Sequence, residues 1–356
     1  MTLSVHTLER NAPLLLMVGF IAGLALAICA ALDPATSARA VLFSWLYWIG
    51  IAAGAMVLLA AHALSGGVWG DAARPILQTA SRALFVTAFP FIVVVLTSGD
   101  IYPWATNAAG SSDNEVTRFY LEPAAFAFRG AAILVIWSTF GIVLARSTHL
   151  GSAWASAALV IYMPTITIAA VDWSASLLPY WSSSTYGVLV GAAQVTSALA
   201  FTALLRSDAP ADGATGDIAG LVLAAVLGTA YLGFMQLLVI WSSGLPERTA
   251  WYELRLKSDG IGLIVGAFLI GAVIPFFLLI MAKVRSNAAL TGSAGLLVLF
   301  GLALFWAWQI IPDNPWPALL IYPLAFLTIG AIWIGIAFGP LAYSEARPDT
   351  GVSSRG

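Results

Sequence analysis

The sequence predicts an all-α polytopic membrane protein with about ten transmembrane helices, and three observations support this fold class. Of its 356 residues, 60% are hydrophobic and only 9% are charged, whereas a soluble domain carries roughly 25% charged residues. The mean hydropathy is +0.92. Ten apolar segments are each long enough to cross a hydrocarbon layer ~30 Å thick. Because the bilayer core offers no water to the backbone, each segment is predicted to be a helix.

The predicted spans occupy, in chain order, 12–32, 41–64, 80–98, 124–145, 153–171, 184–205, 218–241, 261–282, 289–310 and 317–340. The first run is longer than the roughly 7–15 apolar residues of a signal peptide, so it is predicted to be a retained span. Residues 1–11 form a predicted cytoplasmic N-terminal tail, and 12–340 a single membrane domain. The polar segment 341–356 is predicted to be a disordered cytoplasmic tail.

Lys and Arg are distributed unequally between the two predicted sides of the membrane. One side collects Arg10, Arg74, Arg82, Arg146, Arg206, Lys283, Arg285, Arg347 and Arg355. The other side has fewer, namely Arg39, Arg118, Arg248, Arg255 and Lys257. Since short cytoplasmic loops carry the excess of positive residues, both termini are predicted to be cytoplasmic.

The composition excludes several kinds of function. A net charge of −2 argues against nucleic acid as a partner. A single cysteine excludes an internal disulfide and argues against an iron–sulfur cluster held by this chain. Of the three histidines His6, His62 and His149, only His62 falls in a predicted span, so a bis-histidine haem cannot be assembled. The chain is therefore predicted to bind no metal or electron-carrying cofactor and to have no catalytic residue of its own.

Ionisable residues near the predicted outer surface are the first candidates for a functional site. Arg129 lies inside the fourth span, Asp172 closes the fifth, and Asp100 and Glu122 flank the third and fourth. Charged groups at membrane depth cost roughly 2.5–3.5 kcal/mol on insertion scales, which makes them functional candidates by default. A polar pocket or proton exit is one interpretation, and snorkelling with structural salt bridges is the other.

Uncharged polar residues within the predicted spans are the second set of candidates. Tyr186 and Gln194 share one face of the sixth span with Ser197, Gln236 lies in the seventh, and His62 lies near the inner end of the second. Such groups could form a proton path or contact a quinol. Equally, they could make interhelical hydrogen bonds worth roughly 1 kcal/mol each.

The two longest outer connections, 99–123 and 242–260, carry aromatic and acidic residues. Trp104 lies in the first, and Glu247, Trp251 and Tyr252 lie in the second. Trp and Tyr at span ends are usually interfacial anchors. The alternative is that these residues dock an extrinsic partner protein.

Several sequence stretches resemble a known family. The second span and its exit contain SWLYWIG at 44–50 and HALSGGVWG at 62–70, and the third span is followed by YPWA at 102–105. The seventh span reads YLGFMQLLVIW at 231–241, with GLPE at 244–247 and WY at 251–252. These stretches resemble the NrfD-like membrane subunits of bacterial alternative complex III, a quinol:cytochrome c oxidoreductase, and within them the ActF type.

The resemblance implies two four-helix bundles, at 41–171 and 184–310, with peripheral first and last helices. It also implies the bacterial inner membrane and several partners: a related NrfD-like subunit, an iron–sulfur subunit and cytochrome c subunits. Haem and Fe–S groups are then expected in those partners, and quinol is a possible ligand of this chain.

Three functions remain open at the level of the sequence. The first is a cofactor-free scaffolding subunit of a quinol-oxidising complex, which could also bind quinol or conduct protons. The second is a secondary transporter, which needs a midplane site built from broken helices or inverted repeats. The third is a membrane anchor in another NrfD-type quinone-linked reductase.

Overall fold

A computed structural model describes residues 4–106, 119–146, 152–178, 181–209, 213–257, 260–311 and 318–339. Within these ranges the chain is almost entirely helical and contains no β-strand. Ten of the described helices are long and apolar enough to cross a membrane. The predicted fold class, an all-α polytopic membrane protein, is confirmed.

The ten spans are numbered here in chain order. They are Val5–Leu32, Pro34–Ser65, Val68–Leu96, Pro123–Arg146, Ser152–Leu177, Tyr186–Leu205, Gly213–Ser243, Gly260–Leu279, Ala288–Ile310 and Leu320–Ala337. A further helix, Pro246–Lys257, connects spans 7 and 8 and is called the loop helix. The end of the helical domain at which the loop helix lies is called the loop-helix end.

Spans 1, 2 and 3 begin well before the predicted positions 12, 41 and 80. The clearest case is the first part of span 3, Val68–Arg82, which is amphipathic. It buries Ala73 and Leu77 while Asp71 is exposed. A segment with one polar face lowers a hydropathy average even though it is fully helical, so the predicted apolar run covered only the second part of span 3.

Spans 2–5 pack together as one bundle and spans 6–9 as a second. Span 2 lies at the centre, and its contact with span 6 joins the two bundles. There the backbone of Gly54 passes so close to the carbonyl of Gln194 that a Cβ atom would overlap it. Span 10 packs on span 2 and span 1 packs on span 10. The expected two bundles with peripheral first and last helices are therefore present.

Aromatic side chains from all four spans fill the first bundle. Trp45 of span 2 lies with its ring centroid 4.7 Å from Trp173 of span 5 and 5.2 Å from Phe91 of span 3. Trp137 of span 4 meets Trp173 edge to face at 5.8 Å. Offset and edge-to-face contacts of this kind are the favoured arrangements of aromatic rings.

Span 8 is interrupted at its middle. Residues Leu269–Val273 form a π-helical turn, followed by Pro275. At this turn Gly271 crosses Gly301 of span 9 with their backbones in direct contact. π-turns inside helices are frequent at functional sites, which draws attention to the space beside this one.

Candidate functional site

A cavity of about 350 Å³ lies inside the second bundle, between spans 6, 7, 8 and 9 and the loop helix. Small residues on three spans leave this space. They are Ala230 and Gly233 of span 7, Ala267, Gly271 and Ala272 of span 8, and Gly301 of span 9. The volume falls within the roughly 300–1,000 Å³ of small-molecule sites, which are also mostly apolar.

Polar groups gather where the cavity meets the loop helix. The amide nitrogen Nε2 of Gln236 donates to the hydroxyl of Tyr252 over 3.1 Å. The other amide atom, Oε1, has no hydrogen-bond partner among the described residues. Exchanging the two atoms of the amide would leave a free donor instead of a free acceptor, so either orientation presents one unsatisfied group.

Two more lining residues carry unsatisfied polar atoms. Oε1 of Gln309 and the indole Nε1 of Trp308 are buried and have no partner within the described ranges. Buried polar atoms are almost always hydrogen-bonded, because leaving one unpaired costs roughly 1–3 kcal/mol. Together with Gln236, these residues form a polar end of the cavity lining, which carries both acceptors and a donor without partners among the described residues.

The cavity opens towards the bilayer between spans 7 and 8. Its lining residues Phe234 and Phe268 are more than half exposed on the surface of the assembly. The second half of span 8, Ile274–Leu279, packs on both span 7 and span 9, whereas the first half packs mainly on span 9. Spans 7 and 8 therefore separate towards the loop-helix end, which leaves a lateral opening between them.

Aromatic rings hold the loop helix in place beside the cavity. Trp251 is fully buried and stacks on Trp181 with centroids 4.5 Å apart. Its neighbour Arg255 donates from Nε and Nη2 to the main-chain carbonyl of Gln309, over 3.1 and 2.6 Å. The loop helix is thus fixed to the end of span 9, which sets the position of Gln309.

Two of the predicted ionisable residues meet in the first bundle. Arg129 forms a bidentate ion pair with Asp172, with Nε–Oδ2 at 2.7 Å and Nη2–Oδ1 at 3.2 Å. The ring of Tyr120 covers the guanidinium at 4.0 Å. Burial and the neighbouring Asp172 carboxylate raise the pKa of Tyr120 to about 12. Of the ionisable residues that the sequence analysis put forward as functional candidates, Arg129 and Asp172 thus form a salt bridge with each other.

The other two carboxylates of that group do not join the pair. Asp100 and Glu122 are both exposed at the same end of the assembly. The only ion pair that Arg129 makes within the described residues is with Asp172. The sequence allowed a cluster of one arginine with up to three carboxylates, and the described residues form only the pair of Arg129 and Asp172.

His62 packs against the turn between spans 2 and 3. Its Nε2 lies 3.0 Å from the carbonyl oxygen of Gly67, and its Nδ1 lies 3.4 Å from Nη2 of Arg74. Both ring nitrogens are therefore engaged, Nε2 as donor to the carbonyl and Nδ1 as acceptor. Gly67, with φ +110°, adopts a conformation that L residues rarely reach, and the imidazole fixes this turn.

Tyr186 and Gln194 both face the first bundle. The Tyr186 hydroxyl lies 2.7 Å from Oγ of Ser174, and Oε1 of Gln194 accepts from the hydroxyl of Tyr162 over 2.8 Å. Neither residue lines the cavity. Of the seven candidate path residues, Gln236 alone contributes to its wall.

Three of the four docking candidates are buried within this chain. Trp104, Trp251 and Tyr252 have little exposed surface, whereas Glu247 is exposed. Trp104 stacks on Tyr102, Trp251 on Trp181, and Tyr252 packs near Trp308. Their rings stabilise the connections of this chain, and docking at Glu247 stays a prediction.

Sequence reasoning missed Trp308, Gln309 and Arg255. Gln309 could have been found from the sequence, because it is an amide inside an apolar span, as Gln236 is. Arg255 gave none, because a loop arginine is normally solvated and the sequence does not reveal that the loop helix folds back onto span 9.

No protein-family model matches the chain, and no curated protein matches it either.

Proposed function

We propose that this chain is a membrane subunit of a quinol-oxidising complex and binds a quinol in the cavity of the second bundle. The observation that carries the proposal is the polar end of that cavity, where amide oxygens and an indole N–H are buried without partners. The apolar walls beyond it suit the ring and the isoprenoid chain of a quinol.

A quinol headgroup has the hydrogen-bonding capacity that these atoms lack. Each of its hydroxyls donates one hydrogen bond and accepts others, so one can donate to Oε1 of Gln236 or Gln309 and accept from Nε1 of Trp308. A saturated hydrocarbon chain of a phospholipid would leave all three atoms unsatisfied. The cavity therefore favours a ligand with a polar, ring-shaped head over a lipid tail.

The lateral opening supports the same class of ligand. Quinols dissolve in the bilayer, and the gap beside Phe234 and Phe268 leads from lipid to the polar end. A water-soluble substrate would instead need a route from one membrane face.

Within the proposed complex this subunit binds and positions quinol while other subunits carry the electrons. The partners are those the family resemblance implies: a related NrfD-like subunit, an iron–sulfur subunit and cytochrome c subunits. The histidines support the assignment of electron transfer to other subunits, because neither described histidine is placed to hold a haem. His6 is exposed at the start of span 1, and both ring nitrogens of His62 contact other groups, the carbonyl of Gly67 and the guanidinium of Arg74.

The proposed setting is the bacterial inner membrane with both termini cytoplasmic. Arg74, Arg82, Arg206 and Arg285 all lie at the end opposite the loop helix, where span 1 begins. A concentration of arginine at one end supports a cytoplasmic position for it. The cavity's polar end then lies near the periplasmic face.

A matched pair of glycines on span 7 tests the proposal. Gly233 lines the cavity, and a Cβ there would have 3.9 Å to its nearest neighbour, Leu189. Gly228 faces outward with no atom within 4 Å of a Cβ. Binding of a short-chain quinone to the purified protein in nanodiscs is measured by quenching of tryptophan fluorescence.

We expect Gly233→Leu to weaken quinone binding more than tenfold, because the new side chain occupies the cavity. Gly228→Leu should bind like the wild type. Unchanged affinity in Gly233→Leu, with both variants folded, would refute the proposed site.

One observation favours a secondary transporter as a second candidate. The π-turn and Pro275 interrupt span 8 directly beside the cavity, and transporters build their sites from interrupted helices. Uptake of a solute into liposomes that contain this chain alone would support transport over quinol binding.

A further inference from the structure

Arg255 is a buried cation at the polar end of the second-bundle cavity. Only 2% of its surface is exposed. Its guanidinium lies 3.4 Å from the centre of the Trp251 ring, and Nη1 donates to the carbonyl of Trp251 over 3.1 Å. Nε and Nη2 both donate to the carbonyl of Gln309. All its observed partners are therefore an aromatic face and neutral carbonyl groups.

No Asp or Glu in the described ranges forms an ion pair with Arg255. Burying a charge is costly, and among the described residues two interactions weaker than an ion pair offset part of the cost for Arg255. One is the cation–π contact with Trp251. The other is the last turn of span 9, where unpaired carbonyls carry partial negative charge. Arg129, by contrast, has a full carboxylate partner in Asp172.

The guanidinium lies one layer behind the cavity wall. Gln309, whose carbonyl it holds, lines the cavity with a free Oε1, and Tyr252 on the same helix lines it too. Burial lowers the pKa of Arg255 to about 10, with the hydroxyls of Tyr186 and Tyr252 opposing this effect. The group is thus charged at neutral pH, and within the described ranges the titratable side chains that affect it are those two tyrosines.

We propose that Arg255 gives the cavity a preference for a headgroup that carries negative charge on a ring oxygen, such as a deprotonated quinol. This inference rests on the proposed quinol site and specifies the ionisation state that the site favours. Arg255 acts through space and by positioning Gln309, so it is a positioning residue that need not touch the ligand. By stabilising the anion, Arg255 lowers the pKa of a hydroxyl on the bound headgroup.

The test compares two naphthoquinones of the same ring size. 2-Hydroxy-1,4-naphthoquinone is an anion at neutral pH, whereas its 2-methoxy ether is neutral. Both are titrated into the wild-type protein and into Arg255→Gln and Arg255→Lys, in nanodiscs of uncharged lipid. Thermal unfolding of each variant is recorded alongside.

We expect Arg255→Gln to weaken binding of the hydroxy probe about tenfold, as for the loss of a unit charge several ångströms away at intermediate dielectric. The methoxy probe should change less than twofold. Arg255→Lys should keep most of the preference, since it retains the charge. Equal losses for both probes would overturn the inference and reduce Arg255 to a structural support.

A measurement on the wild type alone covers the case in which Arg255→Gln does not fold. The visible absorbance of the hydroxy probe reports its ionisation, so its pKa can be compared bound and free. We expect the bound pKa to be lower by about 1, which corresponds to a tenfold preference for the anion. An equal or higher bound pKa would overturn the inference while leaving the quinol site intact. If neither probe binds the wild type, the proposed site itself fails and the inference with it.

Discussion

The two four-helix bundles share one architecture but differ in what fills them. In the first, Trp45, Phe91, Trp137 and Trp173 meet at the centre. In the second, glycines and alanines occupy the facing positions and a cavity of about 350 Å³ remains. Since helix packing tolerates both arrangements, side-chain volume alone decides which bundle is solid and which can accept a ligand.

The buried charges differ in the same way. The arginine of the first bundle, Arg129, has a bidentate carboxylate partner in Asp172. The arginine beside the second bundle, Arg255, has carbonyl groups and a tryptophan ring. Buried indole N–H groups without a partner among the described residues occur in both bundles, at Trp173 and at Trp308, and Trp308 lies in the wall of the cavity. The bundle richest in ionisable sequence signals is thus the one whose buried charge is paired within the chain.

Disruption of the ion pair between Arg129 and Asp172 should have the largest effect on the stability of the protein. Asp172 is fully buried, so Asp172→Asn removes the counter-charge of Arg129 and should cost about 2–3 kcal/mol of stability. Thermal unfolding in detergent measures the loss. Asp100→Asn, at an exposed carboxylate of the same end, should change stability by less than about 0.5 kcal/mol. Wild-type stability in Asp172→Asn would show that the pair is not structural.

A second pair of glycines contrasts the filled bundle with the hollow one. A Cβ at Gly130 would press against the ring of Phe91, whereas one at Gly233 would enter the cavity. Gly130→Ala should therefore destabilise the protein by about 1–2 kcal/mol. Gly233→Ala should be neutral or stabilising by up to about 1 kcal/mol, because alanine favours the helix. Equal effects of the two changes on the unfolding temperature would contradict the difference in packing.

The smallest expected effect concerns one tyrosine beside each bundle. Burial raises the pKa of both Tyr120 and Tyr252 to about 12, against about 10 for an unfolded chain. Between these values the unfolded state binds fewer protons, so each tyrosine makes stability fall as pH rises. Tyr120→Phe and Tyr252→Phe should each flatten this decline between about pH 10 and 12.

Unfolding temperatures recorded across that pH range check this expectation. Tyr231→Phe is the control, since Tyr231 is mostly exposed on span 7. A decline as steep in the two variants as in the wild type would mean that neither tyrosine titrates as its burial implies.

Much of the fold followed from the sequence because it depends on local composition. Apolar runs of sufficient length must become helices in a bilayer, so the ten spans could be located in order. Their ends could not, since amphipathic turns such as Val68–Arg82 have no hydropathy signal. Gln236 was found by the rule that polar groups at membrane depth are unusual, and it does line the cavity.

The chain by itself thus determined which segments lie in the membrane, because transfer into lipid is set by each segment alone. Tertiary packing decided the rest. The sequence does not say which glycines face one another across a cavity, nor that the loop helix folds back so that Arg255 caps span 9. Those relations join residues far apart in the chain, and they depend on side-chain shape at the helix contacts.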